Sequence, residues 1–221
     1  VSGFYNIGID ANSNLFFKLK NTELSDGFLD NIPYNKIKID SKYFNNILNV
    51  ETLNFESEVG NVSINGNFNL NILGDSLFTP RSQFDIEMNF SAFEIQKINQ
   101  YAQWKVENKG LLTGQWKMTG FANNLKISGD ISIENPLIDK IQCKSLGGNV
   151  SYQNHQLYFN KLHLITENGE YSGSGNIPLK LNIFNIDGLN VKDLPIDFVV
   201  TGRANSLEFI PLYINSIDSM E

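Results

Sequence analysis

Alternation of apolar and polar residues with a period of two most constrains the fold of this 221-residue chain. It runs through stretches such as GLLTGQWKMTG (110–120) and NLKISGDISI (124–133), in which aliphatic, aromatic or glycine residues occupy every second position. A period of two places successive side chains on opposite faces of a strand. Asn, Ser and 17 glycines supply the turns between these stretches. The pattern predicts an all-β fold of antiparallel strands with one apolar and one polar face.

One stretch departs from the period of two. In SAFEIQKINQY (91–101) apolar residues recur at spacings of three and four, which is typical of an amphipathic helix of about three turns. Ser91 as N-cap and Glu94 three residues later fit a capping box. Since SLEFIPLYINSI (206–217) resembles this stretch, we expect one or two short helices in an otherwise all-β chain.

The second half of the chain resembles the first at an offset of about 110 residues. Gly60 and Gly66 recur 109 positions later as Gly169 and Gly175, and FDIEM (84–88) is matched by IDFVV (196–200). We therefore expect 1–83 to be the end of one repeat, 84–195 a central repeat and 196–221 the start of a third. Chance similarity between alternating sequences is the other explanation of these matches.

Two architectures share this alternation. Glycines on the apolar face, such as Gly66, Gly129 and Gly175, favour bends and bulges that curve a sheet. We expect an elongated, curved antiparallel sheet that forms an open β-groove built of these repeats. The alternative is a closed β-sandwich whose two apolar faces pack together.

Composition bears on the possible functions. The net charge is −7 and no run of Lys or Arg forms a basic patch, so nucleic acid is not expected as a partner. The single cysteine, Cys143, and the two histidines, His155 and His163, suggest no metal site. Neither a GxSxG elbow nor a phosphate-binding loop is present. We expect no catalytic residues, no metal, no cofactor and no enzymatic activity.

The glycine and aliphatic spacing resembles that of the AsmA/TamB-like proteins of diderm bacteria. In that family a glycine-punctuated strand pair precedes an "isG" strand, followed by a second glycine cluster; the positions that match are Gly110, Gly114, Gly120, Ile127, Gly129, Ile131, Gly169, Gly173 and Gly175. The resemblance covers most of the chain, and is clearest over 84–183. The family often has a proline before the "isG" strand, where this chain has Asn123 and Asn124.

The resemblance implies that the chain is a fragment of a longer periplasmic protein, anchored in the inner membrane through segments outside this sequence. It implies a hydrophobic groove that carries phospholipid between membranes and serves outer-membrane biogenesis. Phospholipid acyl chains and outer-membrane assembly proteins are the implied partners. No catalytic residue carries over.

We expect the groove to be lined by the apolar face of the central strands. The predicted lining residues are Leu112, Trp116, Met118, Leu125, Ile127, Ile131, Ile133, Val150, Tyr152, Leu162 and Leu164. Each of them is equally a candidate for an ordinary core. A structural or adhesive extracellular module that binds protein or carbohydrate through its loops is the alternative function, and it predicts a closed core.

Overall fold

The computed structural model describes residues 2–10, 14–29, 32–72, 74, 76–97, 108–138, 141–179 and 197–204. Strands account for 81% of these residues. They are β1 (Ser2–Ile9), β2 (Leu15–Leu29), β3 (Ile32–Phe44), β4 (Ile47–Ser57), β5 (Asn61–Asn69), β6 (Gln83–Glu94), β7 (Lys109–Phe121), β8 (Asn124–Ile138), β9 (Ile141–Gln142), β10 (Ser145–Gln153), β11 (Gln156–Ile165), β12 (Gly169–Pro178) and β13 (Asp197–Ala204).

All thirteen strands form one antiparallel sheet. Its hydrogen-bonded path runs β1 to β8 in chain order and continues through β10, β11, β12 and β13, while the two-residue β9 pairs with β8 beside that path. The sheet is not closed. The expected elongated, curved and open architecture is therefore confirmed, and no second sheet is present in the described part of the chain.

The helix expected from Ser91 onward is wrong in its first turn. Residues 91–94 belong to β6, and only 95–97 form a helical turn among the described residues. A bulge at Ala92, whose φ is 56°, places both Phe90 and Phe93 toward the side of the sheet that Gly114 and Leu112 face. This spacing of three on one face imitates a helical period. Residues 98–107 and 206–217, which carry the rest of the helix predictions, lie outside the described residues.

Two hairpin turns of similar geometry lie at the offset of the predicted repeat. The turns that join β3 to β4 and β10 to β11 each have two residues with positive φ, 50° and 61° at Asn45-Asn46 and 51° and 60° at Asn154-His155. These values are those of type I′ hairpin turns. The two turns lie 109 positions apart, the same offset as the glycine matches.

Irregularities of the sheet recur at this offset as well. The ladder between β4 and β5 is interrupted between Val50 and Leu53, and that between β11 and β12 between Phe159 and Leu162. Bulges recur at the offset of the glycine matches, which is consistent with the predicted repeat. The ladder between β5 and β6 joins strands from either side of position 83 and shows no register shift. The boundaries at 83/84 and 195/196 stay predictions.

Candidate functional site

The side of the sheet that carries the aliphatic and aromatic side chains is called the apolar face below. The pairing registers align these side chains in rows that cross the sheet. One row crosses eleven strands and contains a single polar side chain, Ser41; its members are Tyr5, Leu19, Ser41, Val50, Gly66, Ile86, Met118, Ile127, Tyr152, Leu157 and Ile177. The apolar face is thus continuous rather than broken into separate patches.

The structure places all eleven predicted lining residues on the apolar face. Leu112, Trp116 and Met118 project from β7; Leu125, Ile127, Ile131 and Ile133 from β8; Val150 and Tyr152 from β10; Leu162 and Leu164 from β11. Nine of them are half-buried, while Leu125 and Tyr152 are each 4% exposed. Their contact with lipid stays a prediction.

The apolar face extends beyond the predicted residues. Strand β6 contributes Phe84, Ile86, Met88 and Phe90 to it, and β5 contributes Val62, Ile64 and Phe68. The signal for these residues was the alternation in FDIEMNF and NVSINGNFN, which has the same period as the central strands. The prediction missed them because it was confined to the strands that carry the glycine motif.

Little of the apolar face is covered by protein. In the described part of the chain only eleven hydrophobic residues are buried. A closed sandwich would bury both apolar faces, so the closed-sandwich alternative does not describe this sheet.

One end of the apolar face is packed as a conventional core. Phe84, Ala122, Leu125 and Tyr152 form a buried cluster there. Phe78, from the connection between β5 and β6, lies against Phe84 with 5.4 Å between ring centroids. This connection covers the ends of the strands and explains why Leu125 and Tyr152 are less accessible than the other predicted lining residues.

Trp116 packs against a glycine of the neighbouring strand on the apolar face. Its indole ring extends over Gly129, and a Cβ atom at Gly129 would overlap both the ring and the carbonyl oxygen of Gln115. The indole Nε1 donates a hydrogen bond of 3.1 Å to the carbonyl oxygen of Asp130. With its only donor satisfied in this way, the ring presents an apolar surface to the space above the sheet. Phe90 packs edge-on against it at 5.5 Å.

The opposite face of the sheet is polar and carries the charges. Lys117 Nζ lies 3.1 Å from Glu87 and 3.7 Å from Asp85. The hydrogen bond to Glu87 raises the pKa of Lys117, and the hydrogen bond from Lys36 lowers the pKa of Glu23. These groups are exposed to solvent, so their ion pairs contribute little to stability. Their placement marks this face as the polar side of the sheet.

The groups that could carry chemistry are dispersed. No cluster of three or more His, Cys, Asp and Glu side chains that could hold a metal occurs among the described residues. His163 lies on the polar face with Nδ1 3.4 Å from the hydroxyl of Ser172, and His155 lies in the turn after β10. Cys143 is buried, and its desolvation raises the pKa of the thiol. A protonated, inaccessible thiol is a poor nucleophile.

The described residues contain no helix with the length and apolar character required to cross a bilayer. Comparison of the chain with protein-family models, with curated proteins and with solved structures found no match.

Proposed function

We propose that the apolar face is a groove for phospholipid acyl chains, and that the chain is a segment of an envelope protein that moves phospholipid between membranes. The observation that supports this proposal is the continuous apolar face, which is half-buried over most of its length and has no protein layer above it in the described residues. Exposed apolar patches of this size mark binding surfaces.

The dimensions suit hydrocarbon chains. Twelve strands follow one another along the path of the sheet, and at about 4.8 Å per strand they give a face about 50 Å across. An acyl chain in one leaflet spans about 15 Å, half of a hydrocarbon core of about 30 Å. Several acyl chains therefore fit side by side or in succession. Each methylene group removed from water contributes about 0.8 kcal/mol.

The chemistry of the apolar face suits a ligand without a recognised headgroup. No Asp, Glu, Lys or Arg takes a paired position on this face in the described strands. A buried headgroup would need charged or hydrogen-bonding partners. We infer that the headgroup stays in solvent at the margin of the groove, so that lipids with different headgroups bind to a similar extent.

The proposal extends to the cellular setting. Acyl chains must be shielded where lipid crosses the water between two membranes. We therefore place the chain in the periplasm of a diderm bacterium, which lies between two membranes. Contact with the membranes, and an anchor in the inner membrane, belong to parts of the protein outside this sequence. A role in outer-membrane assembly, with assembly proteins as partners, completes the proposal.

Lipid co-purification tests the proposal. The chain is exported to a bacterial periplasm, purified in mild detergent, freed of detergent and extracted with organic solvent, and the phospholipid is measured by mass spectrometry. We expect bound phospholipid in the natural chain and its loss in Ile131→Glu and Leu164→Glu, because a carboxylate on the apolar face would be buried against hydrocarbon. Ser132→Glu and His163→Glu are matched controls, since these neighbours lie on the polar face.

The controls separate a groove from a core. Retained lipid in the controls and lost lipid in folded apolar-face variants, with folding checked by circular dichroism, would support the groove. Absence of phospholipid from the natural chain, or unfolding of both apolar-face variants, would reject it. The structural or adhesive module would then be the better explanation.

A further inference from the structure

The sequence contains two Asn-Gly dipeptides, Asn65-Gly66 and Asn168-Gly169. In such a pair the side-chain amide of asparagine lies next to a backbone nitrogen that no side chain shields, because glycine has no Cβ atom. Both asparagines are exposed to solvent. Sequence and exposure therefore do not distinguish the two sites, and a difference in their chemistry has to come from the backbone.

Asn65 lies inside the hydrogen-bonded part of the sheet. Its strand, β5, pairs with β4 on one side and with β6 on the other, and Gly66 lies opposite Val50 and Ile86. A rotation of the backbone between Asn65 and Gly66 would break ladder hydrogen bonds to both neighbouring strands. Because an inner strand opens only at a high cost in free energy, the two residues are held in the extended conformation.

Asn168 lies outside the strands, in the turn between β11 and β12. Its backbone N–H donates a 3.2 Å hydrogen bond to Thr166 Oγ1, and Thr166 N donates a 2.9 Å hydrogen bond to the carbonyl oxygen of Gly169. In the turn 109 positions earlier, Gly60 N also donates to the carbonyl oxygen of Ser57, at 3.3 Å. Gly169 N makes no such bond to Thr166, so this turn leaves the nitrogen of Gly169 less restrained.

We propose that Asn168 is a site of spontaneous deamidation, whereas Asn65 is protected in the folded chain. The backbone nitrogen of Gly169 attacks Cγ of Asn168, the new C–N bond closes a succinimide ring, and ammonia leaves. Water then opens the ring at either carbonyl and gives aspartate or isoaspartate, so that one water is consumed for each ammonia released. The attacking nitrogen must lose its proton, and the rate therefore rises with pH. This inference does not depend on lipid binding.

The reaction changes the charge and the backbone of the turn. Glu167 and Glu170 flank the dipeptide, so deamidation places a third carboxylate beside two others, and exposed like charges at this separation repel each other. The isoaspartate product also routes the backbone through the former side chain, which adds one carbon atom to the main chain at the start of β12. The deamidated chain should therefore separate from the original chain on an anion-exchange column.

Peptide mapping by mass spectrometry tests the proposal. The folded chain is incubated at mildly alkaline pH, and the conversion of amide to acid is followed in the peptides that contain Asn168 and Asn65. We expect Asn168 to convert at least about tenfold faster than Asn65, because Asn65 reacts only after local opening of an inner strand. In urea, where the chain is unfolded, the two asparagines should convert at similar rates.

Gly169→Ala is the matched variant, because it keeps Asn168 and places a methyl group beside the attacking nitrogen. The φ of Gly169 lies outside the left-handed range, so alanine fits this backbone. The substitution should slow the conversion of Asn168 severalfold and leave that of Asn65 unchanged. Equal conversion of the two asparagines in the folded chain, conversion of Asn168 only after unfolding, or an unchanged rate in Gly169→Ala would overturn the proposal.

Discussion

The contact between Trp116 and Gly129 shows how a single residue shapes the apolar face. The indole ring lies where a side chain at position 129 would project. The sequence showed that both residues share one face, but alternation does not reveal the hydrogen bond from the indole to the Asp130 carbonyl.

Replacement of Gly129 by alanine should destabilise the chain. A Cβ atom there overlaps a backbone oxygen as well as the ring, and overpacking of this kind costs about 1–3 kcal/mol. Urea denaturation measures the loss of unfolding free energy. Gly147→Ala is the matched control, because a Cβ at Gly147 would meet only the Ile131 carbonyl oxygen, at 3.5 Å. Equal denaturation midpoints for the two variants would contradict the proposed role of Gly129.

Alternation was a reliable guide to side-chain direction and a poor guide to burial. It placed all eleven predicted lining residues on one face because side-chain direction in a strand follows from the backbone itself. It could not distinguish the buried Leu125 from the half-buried Ile131. That difference comes from the connection that carries Phe78, which reaches Phe84 across the ends of the strands and has no periodic signal.

Among the elements, the strands were predicted correctly, whereas the first turn of the helix was not. Polar residues between two alternating runs, as at Asn154-His155, mark a turn. The start of the helix was misassigned because a bulge at Ala92 puts Phe90 and Phe93 on one face. A bulge adds one residue to a strand, so a period of two becomes a local spacing of three. Sequence spacing alone does not separate this case from a helical turn.

The hairpin turn at Asn154-His155 gives a prediction at this scale. His155→Val should lower stability by about 1–3 kcal/mol, because a β-branched residue at a φ of 60° is strained. His155→Asn should be close to neutral. It copies the equivalent turn, in which Asn46 accepts a 3.0 Å hydrogen bond from Tyr43 Oη, as His155 Nδ1 lies 3.4 Å from Tyr152 Oη. Urea denaturation compares the variants, and an unchanged midpoint for His155→Val would refute the assignment of a left-handed turn.

At the scale of the whole molecule, stability should vary along the sheet. The buried cluster joins β6, β7, β8 and β10, whereas the large apolar side chains of β1 are exposed. Local opening needs least free energy where few apolar contacts are lost.

Hydrogen exchange followed by mass spectrometry should therefore show a gradient. Amides of β1 and β13 should exchange at least about tenfold faster than those of β7 and β8. Uniform exchange across the sheet would show that it opens as one unit.

The strands lie side by side in chain order, an arrangement called a meander. This arrangement limits how such a chain can change in length. On the main path, every strand pairs with strands that are adjacent to it in sequence, apart from the detour around β9, so the contact order of the fold is low. Removal or insertion of one hairpin leaves every remaining strand with its original direction and its apolar residues on the original face. Removal of a single strand would reverse every strand that follows. The hairpin, rather than the strand or the whole repeat, is therefore the smallest unit by which an insertion or deletion can lengthen or shorten this sheet and still keep one apolar face.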